Sequence, residues 1–107
     1  RAPLPCRRCE PVPGEARRPA NLLERRYLVS ILYASHAGAV RFNEFVQALD
    51  GVPPSTLTAR LGELERAGIL ERAVVDARPP RVEYRLTDRG RRMQAVVRAL
   101  TALAEAR

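Results

Sequence analysis

The sequence predicts a mainly α-helical domain carrying one small β-hairpin, in the order helix, helix, helix, hairpin, helix. Three observations predict it. Apolar residues recur at helical spacing through residues 22–34, 42–49 and 57–64. Residues 82–86 alternate, with Val82, Tyr84 and Leu86 on one side and Glu83 and Arg85 on the other, the period of a half-buried strand. Between that strand and a β-branched stretch at residues 70–75 lies a polar segment, stiffened by Pro79 and Pro80 and carrying Arg78 and Arg81.

Size and charge narrow the function. A chain of 107 residues holds one domain with one modest core. With 46% apolar and 29% charged residues it has the composition of a folded chain rather than a disordered one. The net charge of +7 and sequence pI of 10.9 suit an acidic partner such as nucleic acid. All the cationic side chains are arginine. Together with the many alanines, leucines and prolines, that bias reads as GC-rich coding before it reads as selection for phosphate contacts. The apolar run at residues 27–34 is far short of the roughly 20 residues that span a bilayer, and no signal peptide is visible. Two cysteines point to a reducing, cytoplasmic setting. One histidine, no Ser-His-Asp set, no glycine-rich phosphate loop and no paired carboxylates leave no catalytic constellation. Neither an enzyme nor a cofactor is expected.

Each element has its own warrant. Residues 1–20 hold Pro3, Pro5, Pro11, Pro13 and Pro19, four arginines beyond Arg1 and no apolar period, which predicts an extended arm before a domain over residues 21–107. From Leu22, the positions Leu23, Tyr27, Ile31 and Ala34, widened by Leu28 and Leu32, predict a helix ending at residues 35–38. A stripe that broad needs core on one face and a partner subunit on the other. Phe42, Phe45, Val46 and Leu49 predict a second helix, with Asp50-Gly51 as the turn. Pro53-Pro54 opens a third, where a missing N–H costs nothing, and Leu57, Leu61 and Leu64 are its buried stripe. Gly68 is its expected left-handed cap. Thr87 is the expected N-cap of a final helix striped by Met93, Val96, Val97, Leu100 and Leu103, and His36 is expected as a capping or surface residue.

Two short helices joined by a Gly-containing turn are a helix-turn-helix or an ordinary core hairpin; the arginine-bearing β-hairpin after them decides for a winged helix-turn-helix. With Leu57, Leu61 and Leu64 turned inward, the third helix presents Ser55, Ala59, Gly62 and Arg66, flanked by Thr56, Thr58 and Glu63. The N-terminal part of a recognition helix reaches base edges, so Ser55, Thr56 and Ala59 are the base-reading candidates. Arg41, Thr58, Arg60, Arg78 and Arg81 are the candidates for DNA backbone and wing contacts. Arg60 sits at the edge of the buried stripe, where a phosphate contact and an internal ion pair are equally served.

The motifs Arg41-Phe42-Asn43-Glu44, Leu57-Thr58-Ala59-Arg60-Leu61, Gly68-Ile69-Leu70, Pro79-Pro80-Arg81-Val82-Glu83-Tyr84 and Leu86-Thr87 occur in unbroken order. Residues 22–104 thereby resemble the HxlR-type winged-helix transcription regulators, a branch close to the MarR family. The resemblance implies a homodimer, formed largely by the first and last helices and bound to a two-fold operator on double-stranded DNA; a repressor of a neighbouring gene is the expected role. The apolar stripes of the first and last helices, broader than a domain this small can bury alone, place Leu23, Tyr27, Val97, Leu100 and Leu103 at that interface. Tyr27 stands where members usually have tryptophan, and Pro53 where a serine commonly caps the recognition helix. Some members sense oxidants through a cysteine just before the first helix, roughly the place of Cys9. Cys6 and Cys9, beside Arg7 and Arg8 whose charge favours thiolate, are therefore candidate redox residues answering an oxidant or small-molecule signal. Inert thiols, or a zinc site shared between two chains, are the other readings of the pair; one chain alone supplies too few ligands for a metal. The alternative to a DNA-binding regulator is a winged-helix module that binds protein.

Overall fold

The computed structural model describes residues 11–105. Along them run α1 (Gly14–Leu23), α2 (Leu28–His36), α3 (Phe42–Ala48), α4 (Pro54–Arg66), β1 (Leu70–Val75), β2 (Arg81–Leu86), α5 (Asp88–Arg91) and α6 (Gln94–Glu105). Leu28, Ile31 and Leu32 of α2, Phe45 of α3, Leu57, Leu61 and Leu64 of α4, and Ile69 and Leu70 form one buried core. The expected winged helix-turn-helix is present, with α3 and α4 packed under the β1–β2 hairpin.

Local chemistry fixes the boundaries. At the start of α3 the Glu44 carboxylate accepts the backbone N–H groups of Val40 at 2.9 Å and Arg41 at 2.8 Å, the glutamate half of a capping box. Gly51 turns the chain at φ 77° before Pro54 opens α4. Gly68, at the same left-handed φ, ends α4: the Ile69 amide returns to the Leu64 carbonyl at 2.9 Å, the long bond of a Schellman cap. The strands pair antiparallel from Leu70↔Leu86 to Val75↔Arg81. Thr87 caps α5, its hydroxyl accepting the Gly90 amide at 3.0 Å while donating to the Gly68 carbonyl at 2.5 Å. His36 uses Nδ1, 3.0 Å from the Leu32 carbonyl, to close α2.

Four expectations are corrected. Residues 14–20 are not part of an extended arm but belong to α1. Pro13 only precedes the helix and accepts the first turn's amides, and one proline, Pro19, is absorbed inside it beside strong helix formers Glu15, Ala16 and Arg17. The first predicted helix is broken: α1 stops at Leu23, and α2 begins after Tyr27, whose φ of 70° is left-handed. That conformation costs about 1–2 kcal/mol for a residue with a Cβ. The break frees Leu28, Ile31 and Leu32 to bury completely, and the Arg26 guanidinium stacks 4.9 Å from the Tyr27 ring. The final helix is likewise divided, with Met93 in the turn between α5 and α6. Val46, expected inward, is exposed, because Phe42, Phe45 and Leu49 alone make the inner stripe of a helix as short as α3.

Candidate nucleic-acid interface

The outward side of α4 is open where base reading was expected. Ser55, Thr58 and Ala59 are exposed and Thr56 is half-buried. The Thr58 hydroxyl donates to the Pro54 carbonyl at 3.0 Å, leaving its lone pairs outward. Arg41 is exposed at the N-cap of α3, and Arg66 is exposed at the far end of α4. Along α4 the exposed residues therefore offer hydroxyls, a methyl group and a guanidinium group.

The wing is tied to the start of α3. The Tyr84 amide donates to the Val40 carbonyl at 2.7 Å, joining β2 to the segment that starts α3. Arg78 is exposed at the tip and makes no ion pair among the described residues. Arg81 is less free, its Nε lying 3.4 Å from Glu83, which also accepts from Arg85 at 2.8 Å. The Arg85 hydrogen bonds, with Arg81 beside them, hold the Glu83 carboxyl below the usual carboxylate range. Glu83 was expected to point into solvent; the two arginines cover it instead. Glu44 is held low too, chiefly by the Val40 and Arg41 amides it accepts.

Arg60 is a correction. Expected at the DNA backbone, it turns back into the molecule: Nε donates to the Arg26 carbonyl at 2.9 Å and Nη1 to Glu63 at 2.8 Å. Glu63 also accepts Arg25 at 2.8 Å. Of the sequence's two readings of Arg60, the internal ion pair holds. Sequence reasoning missed the role of Glu63 and Arg25, because an i,i+3 Arg–Glu pair on one helix does not reveal a third partner 34 or more residues away.

The residues expected at a dimer interface differ in exposure. Leu23, Tyr27 and Val97 are half-buried, and Leu100 and Leu103 are exposed, Leu103 at 73%. Tyr27, Val29, Tyr33, Leu49 and Leu100 line a groove of 620 Å³ along α2. Cys6 and Cys9 lie outside the described residues. No cluster of metal-ligating side chains occurs among the described residues, and no helix there is long and apolar enough to cross a membrane.

Residues 22–107 match the HxlR-like helix-turn-helix family. The chain belongs to that family. An HTH-type transcriptional regulator of Synechocystis sp. is 41% identical over 83 residues, 78% of this chain and 62% of that protein. The HTH-type transcriptional regulator YodB of Bacillus subtilis is 34% identical over 85 residues, 79% of this chain and 76% of YodB. Against another Bacillus subtilis relative, YdeP, the chain spans 52% of the length. The reduced form of YodB superposes with a TM-score of 0.77 at 31% identity, covering 88% of this chain and 92% of that one. The redoxregulator HypR in its reduced form gives 0.77 at 30% identity, covering 87% and 92%. Diamide-treated YodB gives 0.74 at 30%, covering 89% and 94%. HxlR-like membership and the winged helix-turn-helix fold agree with the sequence reading.

Proposed function

We propose that this HxlR-like protein is a sequence-specific, double-stranded DNA-binding transcription regulator that acts as a homodimer on a two-fold operator, as a repressor in the simplest case. The observation that carries the reading is the open face of α4, with Ser55, Thr56 and Ala59 to read bases, together with exposed Arg41, Arg78 and Arg81 at the start of α3 and on the wing. Phosphate contacts from these arginines would position the helix without specifying sequence. Leu100 and Leu103, exposed on α6, with Leu23, Tyr27 and Val97 half-buried, support assembly of two copies, because a domain this small leaves them apolar surface to cover. Selecting genomic DNA fragments on the purified protein tests the reading: a shared two-fold motif among bound fragments is expected. Binding of every fragment alike, or of none, would favour a winged helix that binds protein, a reading to which the withdrawal of Arg60 and the partial pairing of Arg81 contribute.

The signal we infer is an oxidant or electrophile acting at Cys6 and Cys9. Support comes from the flanking Arg7 and Arg8, which favour thiolate, and from relatives that include the redoxregulator HypR and a diamide-treated form of YodB. Diamide should lower operator affinity of the wild type and leave a Cys6→Ser, Cys9→Ser double variant unaffected; equal responses would remove the cysteines from regulation.

A further inference from the structure

Arg60 and Glu63 are too well placed to be dismissed as a surface pair. Their side chains are only 15% and 18% exposed, although both sit on the edge of α4 nearest the reading face. Between themselves they join nothing, being three residues apart on one helix. What joins elements is the second half of each set of bonds. Arg60 Nε reaches the Arg26 carbonyl at 2.9 Å, and Arg25 reaches Glu63 at 2.8 Å. Arg25 and Arg26 both lie in the turn between α1 and α2, immediately before Tyr27 and its left-handed backbone. Among the described residues, Arg60 is the only donor to the Arg26 carbonyl. The fork of a guanidinium suits this task, since one planar group satisfies a carbonyl on one side and a carboxylate on the other.

We propose that Arg60 and Glu63 are positioning residues for DNA reading: they latch α4 to the 24–27 turn and so fix the angle at which each subunit presents its recognition helix. The proposal rests on the reading of the protein as a two-fold DNA binder. Arg60 follows Ala59 directly, so the latch holds the reading segment itself and not the remote end of the helix. Its other end is Arg25 and Arg26, between α1 and Tyr27, on the side expected to meet the partner subunit. The recognition helix is thereby referenced to the dimer face by polar bonds, in addition to the apolar packing of Leu57, Leu61 and Leu64. Two such helices must meet half-sites about 34 Å apart, and a helix free to tilt would accept other spacings. These bonds run within the chain, so their removal should relax geometry while the proposed phosphate contacts of Arg41, Arg78 and Arg81 stay in place.

The test uses a duplex selected by the wild-type full-length chain from random-sequence DNA, and the same duplex with one base pair inserted between its half-sites. The insertion separates them by a further ~3.4 Å. Wild-type protein should bind the respaced duplex about tenfold more weakly, a penalty comparable to one mismatched base pair. In Glu63→Ala that discrimination should fall to about twofold, with an unchanged slope of affinity against salt. Arg60→Lys keeps a charge for Glu63 but cannot serve both partners, so it should fall between; it also guards against an alanine variant that does not fold. Glu71→Ala, on the exposed side of β1, should behave as wild type. Undiminished spacing discrimination in both Glu63→Ala and Arg60→Lys, even with a lowered melting temperature, would reduce the latch to an ordinary stabilising ion pair and overturn the proposal. A wild-type chain that selects no duplex would instead overturn the DNA-binding reading beneath it.

Discussion

The amide of Tyr84 donates to the carbonyl of Val40 at 2.7 Å, and through that bond the wing and the helix-turn-helix are one unit. Val40 is in turn held by its own amide, which donates to Glu44 at 2.9 Å. The bond anchors β2, the strand that begins at Arg81, to the start of α3. An anchored strand reduces the ordering that proposed phosphate contacts by the wing require on binding.

Acid should weaken this junction. Glu44 accepts two backbone amides, which lower its pKa below the ordinary 4.5. A lowered folded-state pKa means that the stabilisation is present above the ordinary value and is lost as pH falls through the folded value. Wild-type stability to urea should therefore decline as pH drops below 4.5. Glu44→Gln should be less stable at pH 7 and lose less on acidification. Parallel pH profiles for the two proteins would show that Glu44 makes no such contribution.

Gly90 admits no side chain. A Cβ there would run into the Ile69 carbonyl oxygen and lie 2.9 Å from Leu86 Cδ2, while Thr87 pins the same corner by bonding Gly68 and Gly90. Gly90→Ala should destabilise by about 2 kcal/mol, the usual scale of overpacking, and outweigh the better helix propensity of alanine. Thermal unfolding reads this directly as a fall of ~8 °C or more. An unchanged melting temperature would mean that α5 moves aside freely.

The two wing arginines should differ. Arg78 is unpaired among the described residues, whereas Arg81 is shared with Glu83. Arg78→Ala should weaken binding to all duplexes and reduce the salt slope by about one for each phosphate it no longer neutralises. Arg81→Ala should do less, since part of its charge already serves Glu83. Salt titrations of fluorescence anisotropy separate the two; an unaltered slope in Arg78→Ala would place the tip away from DNA.

Assembly should depend on α6. Leu103 is 73% exposed and Tyr33 44%, areas that a second copy would cover. Leu100→Asp, Leu103→Asp should sediment as a folded monomer where the wild type sediments as a dimer at micromolar concentration. A wild-type monomer would remove the two-fold account.

Much of the fold was legible in the sequence because periodicity reports burial. Leu57, Leu61 and Leu64 mark α4, and the alternation of Val82, Tyr84 and Leu86 marks β2, whatever surrounds them. The break at Tyr27 was not legible, since a left-handed tyrosine has no local signature. It is supported from elsewhere in the chain, by Arg60 reaching Arg26. The same long-range bonds took Arg60 out of the expected DNA surface and covered Glu63. Prolines misled in the opposite direction, because Pro13 and Pro19 flank or enter a helix that composition alone assigned to an arm.

The most direct test of the central claim is hydroxyl-radical footprinting of wild-type protein on a DNA fragment that it selects from the genome. A two-fold regulator should give two protected segments related by a two-fold axis and centred about one helical turn, ~34 Å, apart, with cuts between them unaffected. Uniform protection along the fragment, or none at concentrations where the protein is folded and dimeric, would contradict it.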